Sequence, residues 1–247
     1  MHVLRHRSVF RADRDGDDGL MQLQQVGRPL RPALRFFPAA ADLDGLISRC
    51  IDVVVSAGLL LLLSPLLLLT VLLIRLDSAG PVLFAQERVG RHGERFRMWK
   101  FRTMHESSDQ SVHQELARAW FRGDQAAHGY RDGADSRVTR VGRLLRSADV
   151  DELPQLLNVL QGQMSLVGPR PAIVYELQYY EPGYYERLRV KPGITGPWQV
   201  SGRDRRTAAE MIAMDLDYVV NRSAWNDLKI LARTIPVVLA DMAAVLR

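Results

Sequence analysis

VVVSAGLLLLLSPLLLLTVLLI, residues 53–74, runs for 22 residues without a charge. At ~1.5 Å per residue a continuous helix of this length matches a ~30 Å hydrocarbon core. Three features speak against simple crossing. Ser64-Pro65 sits at its centre, where proline removes a backbone donor and bends a helix. Arg49 and Asp52, on one helical face, stand at its entry. Both flanks are basic: Arg5, Arg7, Arg11, Arg14, Arg28, Arg31 and Arg35 precede it, and Arg75, Arg88, Arg91, Arg95, Arg97, Lys100 and Arg102 follow. Positive residues stay on the cytoplasmic side. The favoured expectation is therefore a re-entrant helix hairpin over 42–76, broken at Ser64-Pro65. A spanning helix and a buried soluble helix pair remain alternatives, although five consecutive leucines argue against the last. The run begins late and lacks a small-residue cleavage site, so it does not read as a signal peptide.

The basic flanks belong to a basic chain, with formal net charge +5 and pI about 9.6. Only three of its 33 basic residues are lysines, namely Lys100, Lys191 and Lys229. An arginine bias suits bidentate phosphate recognition, and a GC-rich genome produces it equally well. Nucleotide, anionic-lipid and nucleic-acid partners all fit the charge. No nucleic-acid motif or interleaved aromatic platform is present, so nucleic acid is not expected. The lone Cys50 excludes an internal disulfide and a cysteine zinc site.

Outward from the apolar run, residues 1–41 read as a polar, flexible tail. A domain over 77–247 follows. Apolar periodicity marks most of it as helix, with a few short strands. Short strands are expected at Pro81–Phe84 and Phe96–Phe101 around a turn at Glu87–Glu94. A polar insertion covers 105–137, with a helix at Val112–Phe121; its His105, His113 and His128 match no zinc spacing. Helices are predicted over Arg137–Ser147, over a segment carrying Leu153, Leu156, Leu157 and Leu160 that ends at Gly162, and over Ala172–Tyr180. A short strand or connector is expected at Met164–Val167. After the Gly/Pro loop Lys191–Arg203, helices are expected at Thr207–Val220 and Trp225–Leu246. The last is amphipathic, with Leu228, Leu231, Ile235, Val238, Met242 and Val245 on one stripe interrupted by Pro236.

Chemistry concentrates in RSADVDELPQLLNVLQGQMSLVGPRP, residues 146–171. Asp151 and Glu152 open a predicted helix, where the dipole stabilises a carboxylate or a phosphate beside it. Neighbours on a helix point ~100° apart, so they do not oppose each other across a bond as glycosidase carboxylates do. Adjacent placement suits one carboxylate that attacks and one that binds a cation; the bland reading is an N-cap and a first-turn acid. Arg146 either neutralises phosphate or is an exposed helix arginine. Pro169 and Pro171 restrict the backbone around Arg170, which pre-orients it for a pyrophosphate or uracil edge or simply makes a turn before the next helix.

KFRTM (100–104), RVGRLLR (140–146), DELPQLLNVLQGQMSLVGPRP (151–171) and KPGITGPWQVSGR (191–203) resemble the bacterial sugar transferases, the monotopic polyprenol-phosphate phosphoglycosyl transferases. The resemblance covers about residues 45–240 and is to the short form, and it implies an α+β, mostly helical fold with a small sheet, held by a re-entrant hairpin broken at Ser64-Pro65. It implies transfer of sugar-1-phosphate from a UDP-sugar to undecaprenyl phosphate with release of UMP, the first step of a lipid-linked glycan. It implies Asp151 as nucleophile, Glu152 as a Mg2+ ligand, and Arg170 on the nucleotide sugar. Lys100, Arg102 and Arg146 are expected to line the phosphate site, and Pro169, Lys191, Gln199 and Arg203 complete the substrate-binding set. The implied location is the cytoplasmic face of the bacterial inner membrane, in contact with its lipids; a homodimer is left open. A catalytically silent scaffold of a polysaccharide assembly complex is the competing reading. One departure stands out: Asp149 and Val150 replace the family's Ser-Leu before the dyad.

Overall fold

The computed structural model describes residues 43–105, 111–124, 135, 137–202 and 206–245. The tail expected over 1–41, His128 and Arg203 lie outside them. The apolar run forms two helices, α1 (Leu43–Leu62) and α2 (Ser64–Asp77). The break falls at Leu63, with Pro65 in the first turn of α2. Pro65 cannot donate to the Leu61 carbonyl, and the Ser64 hydroxyl donates to it instead at 2.8 Å. Among the described residues α1 is the one helix long and apolar enough to cross a membrane. Leu61, Leu62, Leu68 and Leu76 are each more than two-thirds exposed.

The first turns of α1 behave differently from its end. Ser48, Asp52 and Ser56, spaced four apart, form a buried polar stripe. Ser48 Oγ donates to Asp227 Oδ2 at 2.8 Å, and Asp52 Oδ1 accepts from Ser165 Oγ and the Leu166 N–H at 3.0 and 2.8 Å. The apolar helix is thus bolted to the rest of the domain through its first turns.

Two small sheets follow. β1 (Leu83–Val89), β2 (Arg95–Phe101) and β4 (Ala172–Ile173) form an antiparallel sheet in the order β2-β1-β4. β3 (Ser165–Val167) and β5 (Gly193–Thr195) pair in parallel. β1 is longer than the expected Pro81–Phe84; it runs through Glu87 to Val89, and the turn is confined to Gly90–Glu94 with His92 at φ 58°. The helix expected over Ala172–Tyr180 does not form. Its first two residues pair with Val89 and Arg88 of β1, and Val174–Tyr179 follows as 3-10 turns.

The remaining helices are α3 (Ser111–Phe121), α4 (Arg140–Ser147), α5 (Gln155–Leu160), α6 (Ala208–Val220) and α7 (Ala224–Val245). Thr139 caps α4 by accepting from the Gly142 N–H at 2.9 Å, which starts it three residues later than expected. A Cβ at Gly142 would overlap the Thr103 backbone, so only glycine lets α4 lie across the strand end that carries Lys100 and Arg102. Thr207 and Glu210 form a capping box on α6. The main core gathers Phe96 and Met98 of β2, Leu156 and Val159 of α5, Leu166 and Val167 of β3, Tyr218 of α6 and Ile230 of α7.

β2 is an edge strand, and its outer edge is closed by a side chain. Asn158, fully buried in α5, accepts from the Trp99 N–H at 3.0 Å and donates to the Arg97 carbonyl at 2.8 Å. One amide thus imitates a strand and fixes β2 against α5. Because Asn158→Ala leaves both backbone groups without their side-chain partner, we predict a loss of about 2–4 kcal/mol. Urea unfolding of the detergent-solubilised protein measures it; a loss below 1 kcal/mol would show that water replaces the amide.

Candidate active site

Asp151 and Glu152 lie in a 3-10 turn, Val150–Glu152, that runs into α5, rather than inside the first turn of an α-helix. Asp149, not Asp151, occupies the cap position. Its backbone is left-handed, φ 54° and ψ 16°, and its carbonyl accepts from the Glu152 N–H at 3.1 Å. Aspartate tolerates that region better than most residues. The carboxylate at the family's serine position therefore has a backbone reason. Val150 packs with Ile74, Phe101 and Leu145, which pins the turn from below.

Both dyad carboxylates answer to one ammonium. Lys100 Nζ lies 2.8 Å from Glu152 Oε1 and 4.0 Å from Asp151 Oδ2. Asp151 is only 7% exposed. Lys100 sits on the β1–β2 hairpin face that also carries Arg88, through the register Phe84↔Lys100 and Arg88↔Phe96. Arg102, one residue beyond β2, does a different job with part of its guanidinium. Its Nη2 donates to the Ser78 carbonyl and hydroxyl at 2.7 and 3.0 Å, closing the end of α2. Its Nε and Nη1 are buried with no protein acceptor among the described residues. Arg146 ends α4 just before the dyad turn, half-buried, and its carbonyl accepts from the Asp149 N–H at 3.5 Å.

Arg170 is held more tightly than two prolines require. Its carbonyl accepts from Arg187 Nη2 at 2.7 Å, and its N–H reaches Asp215. Arg187 and Asp215 are themselves a fully buried ion pair. The Arg170 guanidinium donates to Glu176 at 3.1 Å and lies 5.7 and 5.8 Å from the Trp120 and Trp198 rings. Arg88 closes the group. It donates to the Pro171 carbonyl at 2.8 Å, and burial together with the neighbouring Arg170 charge pushes it down to about 10. Arg88 also feels the Glu152 carboxylate. Burial pushes Glu176 up, but the adjacent Arg170 and Arg88 charges outweigh this and hold it below the usual carboxylate range.

The expected residues do not all converge. Lys100, Asp151 and Glu152 form one group, and Arg170 heads the second. Pro169 precedes Arg170 directly, and Gln199 lies against the backbone just before it: Gln199 Oε1 and the Gly168 carbonyl crowd the same point at Gly196. Lys191 is placed elsewhere. Its ammonium stands near Gly162 and Arg49, at the end of α5 away from the dyad, and feels Asp52. Burial and Arg49 lower its pKa. Arg88, Glu176, Arg187, Asp215, Trp120 and Trp198 also stand around Arg170; of these only Trp198 lies in a quoted motif, KPGITGPWQVSGR.

For Mg2+, no group of three or more His, Cys, Asp or Glu side chains with metal-holding geometry occurs among the described residues. Magnesium ordinarily takes one or two carboxylates and completes its shell with phosphates and water. A two-carboxylate turn fits that donor set.

The family model "Bacterial sugar transferase" matches residues 43–241. A UDP-glucose:undecaprenyl-phosphate glucose-1-phosphate transferase from Caulobacter vibrioides is 45% identical over 215 residues, covering 84% of this chain and 74% of that protein. The exopolysaccharide production protein ExoY of Rhizobium meliloti is 40% identical over 81% of this chain and 88% of its own length. An undecaprenyl-phosphate galactose phosphotransferase from Salmonella typhimurium is 41% identical over 78% of this chain but only 40% of its own length. With its lysine-held dyad, its part-buried Pro-Arg-Pro arginine and a family match over most of its length, the chain belongs to the bacterial sugar transferases.

Proposed function

We propose that the protein transfers a sugar-1-phosphate from a UDP-sugar to undecaprenyl phosphate and releases UMP, opening the assembly of a lipid-linked exopolysaccharide or related glycan. The observation that carries this reading is the buried Asp151 beside Glu152, both within reach of Lys100. An oxygen of Asp151 attacks the sugar-bearing phosphorus. The bond from that phosphorus to the bridging oxygen breaks, and UMP leaves with the bridging oxygen. The acyl phosphate so formed is then attacked by a phosphate oxygen of undecaprenyl phosphate, which regenerates the carboxylate. Glu152 would hold Mg2+, which supplies charge neutralisation at the donor phosphates when bound. Lys100, the inward N–H groups of Arg102, and Arg88 neutralise the rest, and Arg170 orients the donor.

The exposed leucines of α1 and α2 support membrane attachment, and the break at Leu63–Pro65 supports a helix pair that enters and leaves one leaflet on the cytoplasmic side. Relatives named for glucose and for galactose are similarly identical, so the donor sugar is left to experiment.

We predict that Asp151→Asn abolishes UMP release from every UDP-sugar the wild type accepts, with an unchanged melting curve. Residual turnover above 1% of wild type, an order-of-magnitude bound for losing the nucleophile, would reject Asp151. Lys100→Ala should lower kcat on the order of 10²-fold, read in the same assay.

Glu176 adds a pH dependence. Its folded pKa lies below its ordinary 4.5, so its stabilisation is complete above that value and is lost as pH falls through the folded pKa. Glu176→Gln leaves buried guanidiniums without their carboxylate and should cost about 3–5 kcal/mol at pH 7. The gap between variant and wild type should narrow as pH falls below 4.5. Urea titrations at pH 7 and pH 4 test the sign; a gap that widens on acidification would contradict it.

A further inference from the structure

β1 joins the end of the apolar helices to the arginine cluster. The chain leaves α2 at Ser78, where Arg102 closes the helix end, and the Arg102 backbone N–H donates to the Val82 carbonyl at 2.8 Å. Towards its other end β1 carries Arg88, which donates to the Pro171 carbonyl at 2.8 Å and to Gln86 Oε1 at 2.6 Å. Alternation along a strand puts Phe84, Gln86 and Arg88 on one face, with Phe84 and Arg88 about 13 Å apart at ~3.3 Å per residue. One end of this row therefore points to the arginine cluster and the other to the apolar helices.

Phe84 occupies the apolar end. Its cross-strand neighbour is Lys100, and directly opposed residues share a face with Cβ atoms about 5 Å apart. Lys100 in turn reaches both dyad carboxylates. The Phe84 side chain is 43% exposed, and it joins none of the apolar clusters among the described residues. An aromatic ring left open beside a lysine and two carboxylates suits a ligand that turns apolar immediately beyond its phosphate.

A polyprenyl phosphate has that chemistry. We propose that Phe84 receives the first isoprene units of the acceptor and so sets its phosphate at Lys100, beside Asp151. The route to the ring supports this. α2 ends with Leu76 three-quarters exposed, one residue before Asp77, and β1 begins a short turn later. A chain lying along the leucine-covered surface thus meets β1 at the Phe84 end first, and the Arg88 end is left to the water-soluble donor. This inference rests on the transfer proposed above and adds the residue that holds the acceptor.

Steady-state UMP release by the full-length, detergent-solubilised protein tests it, with donor and acceptor varied in turn. In a two-step transfer kcat/KM for the donor reports the first step and kcat/KM for the acceptor the second. Phe84→Thr keeps a strand-forming residue and removes the ring. It should lower kcat/KM for undecaprenyl phosphate about tenfold and leave kcat/KM for the UDP-sugar unchanged, which also shows an intact fold. Phe84→Leu, still apolar, should recover most of the loss. Geranyl phosphate carries only the first isoprene units, so it should compete with undecaprenyl phosphate on the wild type, and about tenfold more weakly on Phe84→Thr. A wild type indifferent to geranyl phosphate overturns the assignment whether or not the variants fold. An unchanged acceptor value in Phe84→Thr does the same. An equal fall in both values marks a structural residue, and a fall confined to the UDP-sugar puts the donor's sugar on the ring; either overturns it. No UMP released by the wild type from any UDP-sugar removes the transferase reading itself, and the acceptor with it.

Discussion

α5 is only six residues long, yet three parts of the molecule are referred to it. Arg49 of α1 donates to the Val159 and Leu160 carbonyls at 2.6 and 2.8 Å, satisfying a helix end that would otherwise bury unpaired acceptors. Asn158, in its middle, holds the edge of β2 and therefore Lys100. The dyad turn leads directly into its first residue. At ~1.5 Å per residue, the arginine on the apolar helix and the carboxylates stand about one short helix apart. The depth of the dyad relative to the leucine-covered surface is thus set by backbone geometry rather than by loop flexibility.

The site's charged residues fall into two groups. Asp151 and Glu152 both lie within reach of Lys100. Around Arg170, the guanidiniums of Arg88, Arg170 and Arg187 stand among the carboxylates of Glu176 and Asp215. On the proposed function, the nucleotide half of a diphosphate donor would face the arginine-rich group, and a divalent cation at the carboxylates would offset their repulsion of its phosphates.

The helices with strong periodicity, α5 to α7, were legible because their apolar spacing reports burial directly. Ala172–Tyr180 was misread as helix because its local composition permits one. What overrides it is the pairing of Ala172 and Ile173 with β1, a contact between segments more than 80 residues apart. The supporting charges were invisible for the same reason. Arg88 meets the Pro171 carbonyl across 83 residues and Arg187 meets Asp215 across 28, and a lone arginine in a strand or turn carries no mark of such a partner. Lys191 shows the converse: a motif lysine whose neighbours in space are Arg49 and Asp52, so that its place in the sequence suggested substrate while its place in the fold is beside the bolt that holds α1.

The exit from α2 argues that this site belongs at a surface rather than within the apolar layer. α2 ends at Asp77, and two polar groups seize that end. Asp77 accepts from the Val141 N–H at the start of α4 at 3.2 Å, and Arg102 closes the Ser78 carbonyl and hydroxyl. A buried guanidinium and a carboxylate at a helix end are stable where protein, not lipid, surrounds them. The chain therefore leaves its apolar stretch at the residues that touch Arg102, two positions from Lys100 and in the same packing unit as Val150 of the dyad turn. Fixed there, the carboxylates lie next to the boundary where exposed leucines give way to charged residues. A water-soluble nucleotide and the phosphate end of a lipid reach the same few ångströms only at such a boundary.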